Sequence, residues 1–356
     1  MLVLELLKWA AVSPGTSAER MASMLAEGHE REVRWVLDAG LGPMLYRATR
    51  EHFDYVPSAL RDVLLSSDLT AQVRHGCVID TANEVIDVCR ELGTPVTLLK
   101  GISVSDQYYP CGHLRPMGDI DVLIAREAGD SVESALVRRG YRSDKHHPRN
   151  EDLHHAPPLL QPDRNVWVEL HTKLFPAREE LADGNLFTAH SITAHSAASM
   201  FQQRPVRRLT AELQIAYIAS SWMRDLTLSG VSPSFLASLL DAIYLLNKVG
   251  TTLDWNGLIL LVDNETAMAS LYVTLAYIER HDLCVIPGDV LSALRARQRL
   301  VGRLELRAIH GMLDHYLVGG RFWTHPLPLP VPGRYNVRNQ LRKRFLTRLR
   351  SHATRA

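Results

Sequence analysis

The sequence has few cysteines, few lysines and no long apolar run. Cys77, Cys89, Cys111 and Cys284 are its only cysteines in 356 residues, and no two form a CxxC pair. Four in a chain this long do not make a disulfide scaffold, so a reducing, cytoplasmic setting is expected. No stretch approaches the roughly 18 uninterrupted apolar residues of a membrane span. The opening MLVLELLKWAAV carries Glu5 and Lys8 inside its apolar run and no basic stretch before it, unlike a signal peptide. Charge of one sign is also lacking. Forty basic residues face 39 acidic ones, for a net charge of +1, so no global field draws nucleic acid or membrane. Lysine supplies six of the forty, a compositional bias that is not read as function. With 46% hydrophobic and 22% charged residues, wholesale disorder is excluded.

Helical periodicity dominates both ends of the chain. Val3, Leu6 and Leu7, then Val33, Val36, Leu37 and Leu41, recur at helical spacing. Pro57-Ser58 opens a run through Leu60, Val63 and Leu64, and a longer pattern from Val78 to Cys89 stops at Gly93. Then the period changes. Pro95 to Leu99, Asp119 to Ile124 and Asn165 to His171 read as strands, with short helices over 102–109 and from Ser131 to Gly140. After about residue 205 the helical period returns, over Leu209–Met223, Phe235–Val249, Leu258–Asn264, Ala267–His281 and Asp289–His315. The expected fold is α+β: a small mixed-sheet core flanked by N- and C-terminal helical blocks. The expected divisions are a helical region over 1–93, an α/β core over 94–200, a second helical region over 201–323, and a Pro-rich connector with a basic tail over 324–356.

The chemistry lies in LLKG at 98–101, RPMGDIDVLI at 115–124 and VWVELH at 166–171. On a strand, Asp119 and Asp121 point to one face, about 6.6 Å apart along the backbone. Carboxylates that close repel unless a cation sits between them. Glu169, alternating with apolar residues on another strand, adds a third carboxylate. Oxygen donors without Cys or His at matching spacing favour Mg²⁺ or Mn²⁺ over Zn²⁺. Two such ions held by three carboxylates can clamp the attacking and leaving oxygens of an in-line phosphoryl displacement. Gly101, between strand and helix, would let backbone N–H groups approach a phosphate. Ser103 offers a hydroxyl, and Lys100 and Arg115 offer positive charge. His171, two residues after Glu169, could share its face and touch an acceptor or a phosphate, or simply make a structural hydrogen bond.

This order of strand, glycine turn, helix, DxD strand and later acidic strand resembles the polymerase-β-like nucleotidyltransferase superfamily. More narrowly, it resembles a bacterial family of uncharacterised nucleotidyltransferases with an LKG…R…DIDLLV…E-[LI]-H pattern. The segments Trp35–Tyr46 and Asp241–Pro287, with Leu-Asp-Trp at 253–255, extend the likeness over most of the chain. The resemblance implies that Asp119, Asp121 and Glu169 are the catalytic, metal-binding carboxylates and that Gly101 holds the triphosphate. Lys100 and Arg115 are motif residues. The turn Lys100-Gly101-Ile102 departs from the usual Gly-Gly or Gly-Ser, and His171-Thr172 departs from His-Trp.

The expected activity is transfer of NMP from an NTP to a hydroxyl or phosphate of a small molecule or peptide, with Mg²⁺ (Mn²⁺ as the alternative) and release of pyrophosphate. The alternatives are nucleotidylation of a macromolecule (tRNA or protein), or a nucleotide-binding module without turnover. His146, His147, His154 and His155 lie in a polar, Pro-containing stretch that could hold Zn²⁺ but reads better as a loop near the acceptor. The tail over 334–356 has eight basic residues and no acidic one, and Val337, Leu341, Phe345 and Leu349 recur every four. Such a helix fits contact with RNA or an anionic membrane, but a docked helix with a solvated basic face is favoured. Trp222, Tyr244, Trp255, Tyr272 and Tyr277 read as core aromatics. If three carboxylates crowd one face, Mg²⁺ should stabilise the fold, and Asp121→Asn should slightly stabilise the metal-free protein.

Overall fold

The computed structural model describes residues 2–11, 14–144, 154–177 and 179–321. His146 and His147 and the basic tail lie outside the described residues. Five helices come first: α1 (Leu2–Ala11), α2 (Pro14–Ala26), α3 (Glu30–Asp38), α4 (Gly42–Thr49) and α5 (Ser58–Glu91). The run from Leu60 and the pattern from Val78 belong to one 34-residue helix, α5. Its two halves serve different cores. Leu64 packs among helices, whereas Val78, Ala82, Val85, Ile86 and Cys89 pack against the sheet. The apolar stripe changes partner midway, so the sequence shows two short patterns where the backbone is continuous.

The sheet is built from β1 (Thr97–Leu98), β2 (Asp119–Leu123), β3 (Arg142–Ser143), β4 (Leu159–Gln161), β5 (Val166–His171), β6 (Ser196–Phe201) and β7 (Arg204–Leu209). Its order is β3-β4-β5-β2-β1-β7-β6. Strand β2 runs parallel to β5 and antiparallel to β1, and β1 runs parallel to β7, so the sheet is mixed. Helices α6 (Lys100–Tyr108), α7 (Gly129–Arg138) and α8 (Ala189–Ala194) interleave with the strands. The hairpin β6–β7 carries the sheet past residue 200, into a segment whose Arg204, Arg207 and Arg208 hide its strand period. Arg208 is nonetheless buried, donating to the carbonyls of Ser103 and Met200 and pairing with Asp106.

The chain then returns to helix in α9 (Ala211–Ser229), α10 (Phe235–Val249), α11 (Trp255–Leu261), α12 (Glu265–Arg280), α13 (Gly288–Arg297) and α14 (Arg303–Met312). The single run expected over Asp289–His315 is broken between α13 and α14, where Gln298 bonds both the N–H and the carbonyl of Val301. The first and last helical blocks share one core: Leu2, Leu6, Met44 and Leu45 belong to the same cluster as Tyr217, Leu240 and Leu275. Asn247 of α10 donates to the carbonyl of Ala11 at 2.6 Å, satisfying an end of α1. A second core lies on the sheet, around Leu98, Ile120, Val122, Val168 and Leu170. Trp222, Tyr244, Tyr272 and Tyr277 are buried, as core aromatics should be. Among the described residues no helix is long and apolar enough to cross a membrane.

Candidate active site

Parallel pairing of β2 with β5 sets Asp119 opposite Trp167, Asp121 opposite Glu169 and Leu123 opposite His171. Side chains alternate along a strand, so Asp119, Asp121, Glu169 and His171 share one face. The other face carries Ile120, Val122, Val168 and Leu170, all fully buried, which fixes the register. A one-residue slip would put the carboxylates into that core.

Asp121 is buried at the centre of the site. Its Oδ1 accepts from Lys100 Nζ at 3.1 Å and lies 2.7 Å from His171 Nε2. The same His171 nitrogen is 3.3 Å from Glu169 Oε2, and His155 Nε2 is 3.8 Å from that oxygen. Among the described residues, Asp121, Glu169 and His171 form a group whose potential ligand atoms all lie within 4.8 Å of one another. Asp119 is not part of that group and sits at the solvent edge of the strand.

Lys100 reaches Asp121 because of its backbone. Leu99 is extended, and its N–H donates to the Asp121 carbonyl at 3.0 Å, tying the start of α6 to β2. Lys100 then adopts φ of 39°, a left-handed conformation uncommon outside glycine. Such a residue carries strain of order 1–3 kcal/mol, held in place by the contacts around it.

The charges are unequal in their surroundings. Burial pushes the Asp121 carboxyl up, but the Lys100 ammonium and the His171 hydrogen bond outweigh it and hold the group below the usual carboxylate range. Burial raises Glu169 too, but the His171 hydrogen bond together with attraction to His155 and His171 leaves it lowered. Asp119 is raised, by desolvation first and then by repulsion from Asp121 and Glu169. Burial lowers His171, yet its bonds to the two carboxylates carry it above the ordinary imidazole value. His154 is pushed down to about 2 by burial and then by His171 and His155, so it stays neutral.

Arg115 and Ser103 face structural partners. Arg115 is partly buried, and its Nε and Nη2 fork onto Asp241 of α10 at 3.1 and 2.9 Å, while Nη1 donates to the Pro116 carbonyl at 3.0 Å. Asp241 Oδ1 also accepts from Tyr109 at 2.8 Å. A Cβ on Gly101 would lie 2.3 Å from Arg115 Nη1, so position 101 lacks a side chain because a guanidinium rests on it. Ser103 is fully buried, and its Oγ accepts from Gln107 at 3.0 Å. Of the residues expected to hold the triphosphate, Arg115 and Ser103 bond within the protein and Lys100 bonds Asp121, while Arg115 also lies close enough to Asp119 to favour its ionised form.

Tyr217 escapes the sequence reading, and the packing of His154 and His155 on His171 goes beyond it. His154 and His155 stack near His171, with ring centroids 5.1 and 5.3 Å away. Their signal was the histidine-rich stretch itself, but the antiparallel bridge from His155 to His171 is a tertiary contact. Tyr217 of α9 is fully buried, with its hydroxyl raised chiefly by burial, against the pull of Lys100 and with repulsion from Asp121 and Glu169. Its helical spacing marks it only as core.

A transferase centre fits this face, and the family comparison agrees. The family model described as uncharacterised nucleotidyltransferase matches residues 27–281. The chain belongs to that nucleotidyltransferase family. No curated protein matches it. Among solved structures, it is similar to a solution structure of the antibiotic-resistance factor ANT(2'')-Ia, at 15% identity, covering 57% of this chain and 97% of that one, with a TM-score of 0.36.

Two stability measurements follow. Asp121 has a lowered folded pKa, so its contribution is present above the unfolded value of about 3.9 and fades as pH falls below it. Asp119 has a raised folded pKa, so its ionisation weakens the fold at neutral pH. In EDTA at pH 7, Asp121→Asn should lose about 1–3 kcal/mol by giving Lys100 and His171 a neutral amide in place of a charged acceptor, whereas Asp119→Asn should raise the melting temperature. This reverses the expectation that neutralising Asp121 relieves repulsion. A melting temperature raised by Asp121→Asn would contradict the assignment of charges. Separately, Asp241→Ala should cost about 3–5 kcal/mol in urea unfolding by stranding the largely enclosed Arg115 guanidinium, and Arg115→Met with Asp241→Leu should cost less. A loss below about 1 kcal/mol for Asp241→Ala would show that the pair does not anchor α10.

Proposed function

We propose that this transferase moves NMP from an NTP to a hydroxyl or phosphate of a small molecule or peptide, releasing pyrophosphate. The observation that carries the reading is the pairing of Asp121 with Glu169 across adjacent parallel strands, with Lys100 against the first. The residues fit a divalent cation, Mg²⁺ or Mn²⁺. Two carboxylates present oxygens within the span of a single ion's donors, and Asp119, whose ionisation the fold penalises, stands beside them at the open edge. A cation there would neutralise phosphate charge and polarise the α-phosphorus.

The protein's own groups have separate parts. Lys100 and His171 keep Asp121 ionised and fixed in orientation. Glu169 is half-buried, which leaves it within reach of an incoming acceptor, and it would take the acceptor's proton as the new P–O bond forms and the α–β bridge breaks. Lys100 supplies a fixed positive charge beside the phosphates. Arg115 acts at a distance, holding Asp241 and α10 against the turn at Gly101.

Incubation with each α-labelled NTP, Mg²⁺ or Mn²⁺ and a metabolite extract should yield pyrophosphate and a nucleotide-labelled product. Asp121→Ala should lower turnover at least about 100-fold, since loss of groups that merely support metal ligands already costs 10–100-fold. Undiminished turnover in Asp121→Ala would overturn the reading.

A further inference from the structure

Oxygen-only coordination was the reason to favour Mg²⁺, and the structure adds a nitrogen donor to the set. His171 is fully buried, and its Nε2 lies 2.7 Å from Asp121 Oδ1 and 3.3 Å from Glu169 Oε2. In an octahedral complex with bonds of about 2.1 Å, neighbouring donors stand about 3.0 Å apart. The two spacings bracket that value, so Nε2 occupies the place of a donor and not of a remote support.

Nδ1 of His171 is buried and meets no hydrogen-bond partner among the described residues, so the contacts of Nε2 with the two carboxylates are what orient the ring. With the proton on Nδ1, the Nε2 lone pair points between the carboxylates. His155 is arranged in the same sense. Its Nδ1 lies 2.8 Å from the Ala156 carbonyl, which can only accept, so Nδ1 carries a proton and Nε2 is turned toward Glu169.

We propose that His171 Nε2 is a metal ligand together with Asp121 and Glu169, so that this site takes a nitrogen-accepting first-row ion such as Mn²⁺ in preference to Mg²⁺. The proposal rests on the metal-dependent reading above. Mg²⁺ dehydrates reluctantly and prefers oxygen, whereas imidazole suits later divalent ions. In the metal-free protein Nε2 donates to the carboxylates where the ion would sit, and the ion would displace that proton.

Pulsed electron paramagnetic resonance of Mn²⁺ bound to the wild-type protein tests this without substitution. Directly bound nitrogen should give ¹⁴N modulation, and protein labelled with ¹⁵N-histidine should replace it with the ¹⁵N pattern. By calorimetry, His171→Asn should weaken Mn²⁺ binding about tenfold or more and leave Mg²⁺ binding within about threefold. Mn²⁺ binding without nitrogen coupling overturns the ligand assignment and leaves the metal-dependent transfer standing. Coupling that survives His171→Asn but is lost in His155→Gln overturns it too. Absence of Mn²⁺ binding overturns both readings. If His171→Asn does not fold, the labelled wild-type spectrum still decides.

Discussion

Two carboxylates face each other across β2 and β5, and the site is organised around the cost of holding them there. Parallel register places Asp121 directly opposite Glu169. In a partly buried setting such a pair repels, and one member takes up a proton unless positive charge or donated hydrogen bonds intervene. Lys100 and His171 both supply that compensation at Asp121, and His171 extends it to Glu169. Both carboxylates therefore stay ionised, and the remaining electrostatic cost falls on Asp119 at the edge. An acidic face that is kept charged, and not allowed to protonate, is ready for a cation.

A second ion pair connects this face to the rest of the molecule. Arg115 precedes the DxD strand by four residues, and its guanidinium covers Gly101 while forking onto Asp241 of α10. The turn that carries Lys100 is thereby clamped between β2, through Leu99, and the C-terminal helices, through Arg115. The N-terminal helices pack into the same core as those C-terminal helices. Displacement of α10 would thus be felt at Lys100 through Arg115.

Much of this could be read in the sequence, where strand and helix periods are clean. Asp119, Asp121 and Glu169 stand out because polar residues alternate with Ile120, Val122, Val168 and Leu170. The α+β order and the helix over Phe235–Val249 follow from the same periodicities. What could not be read depends on contacts between distant segments. Arg115 and Asp241 are 126 residues apart, and nothing local pairs them. The depth of His171 depends on its register opposite Leu123. The β6–β7 hairpin is obscured by arginines whose stems are buried while their heads find carbonyls and carboxylates. Helix α5 reads as two pieces because its apolar stripe serves two cores in turn.

The most direct measurement is a crystal structure of the protein with Mn²⁺ and an NTP whose α–β bridge cannot be cleaved, with the ion located by anomalous scattering. The account expects the anomalous peak between the carboxylates of Asp121 and Glu169, with the α-phosphate beside it and Lys100 turned toward the phosphates. A nucleotide bound on another face, or an ion held away from those two carboxylates, would contradict it.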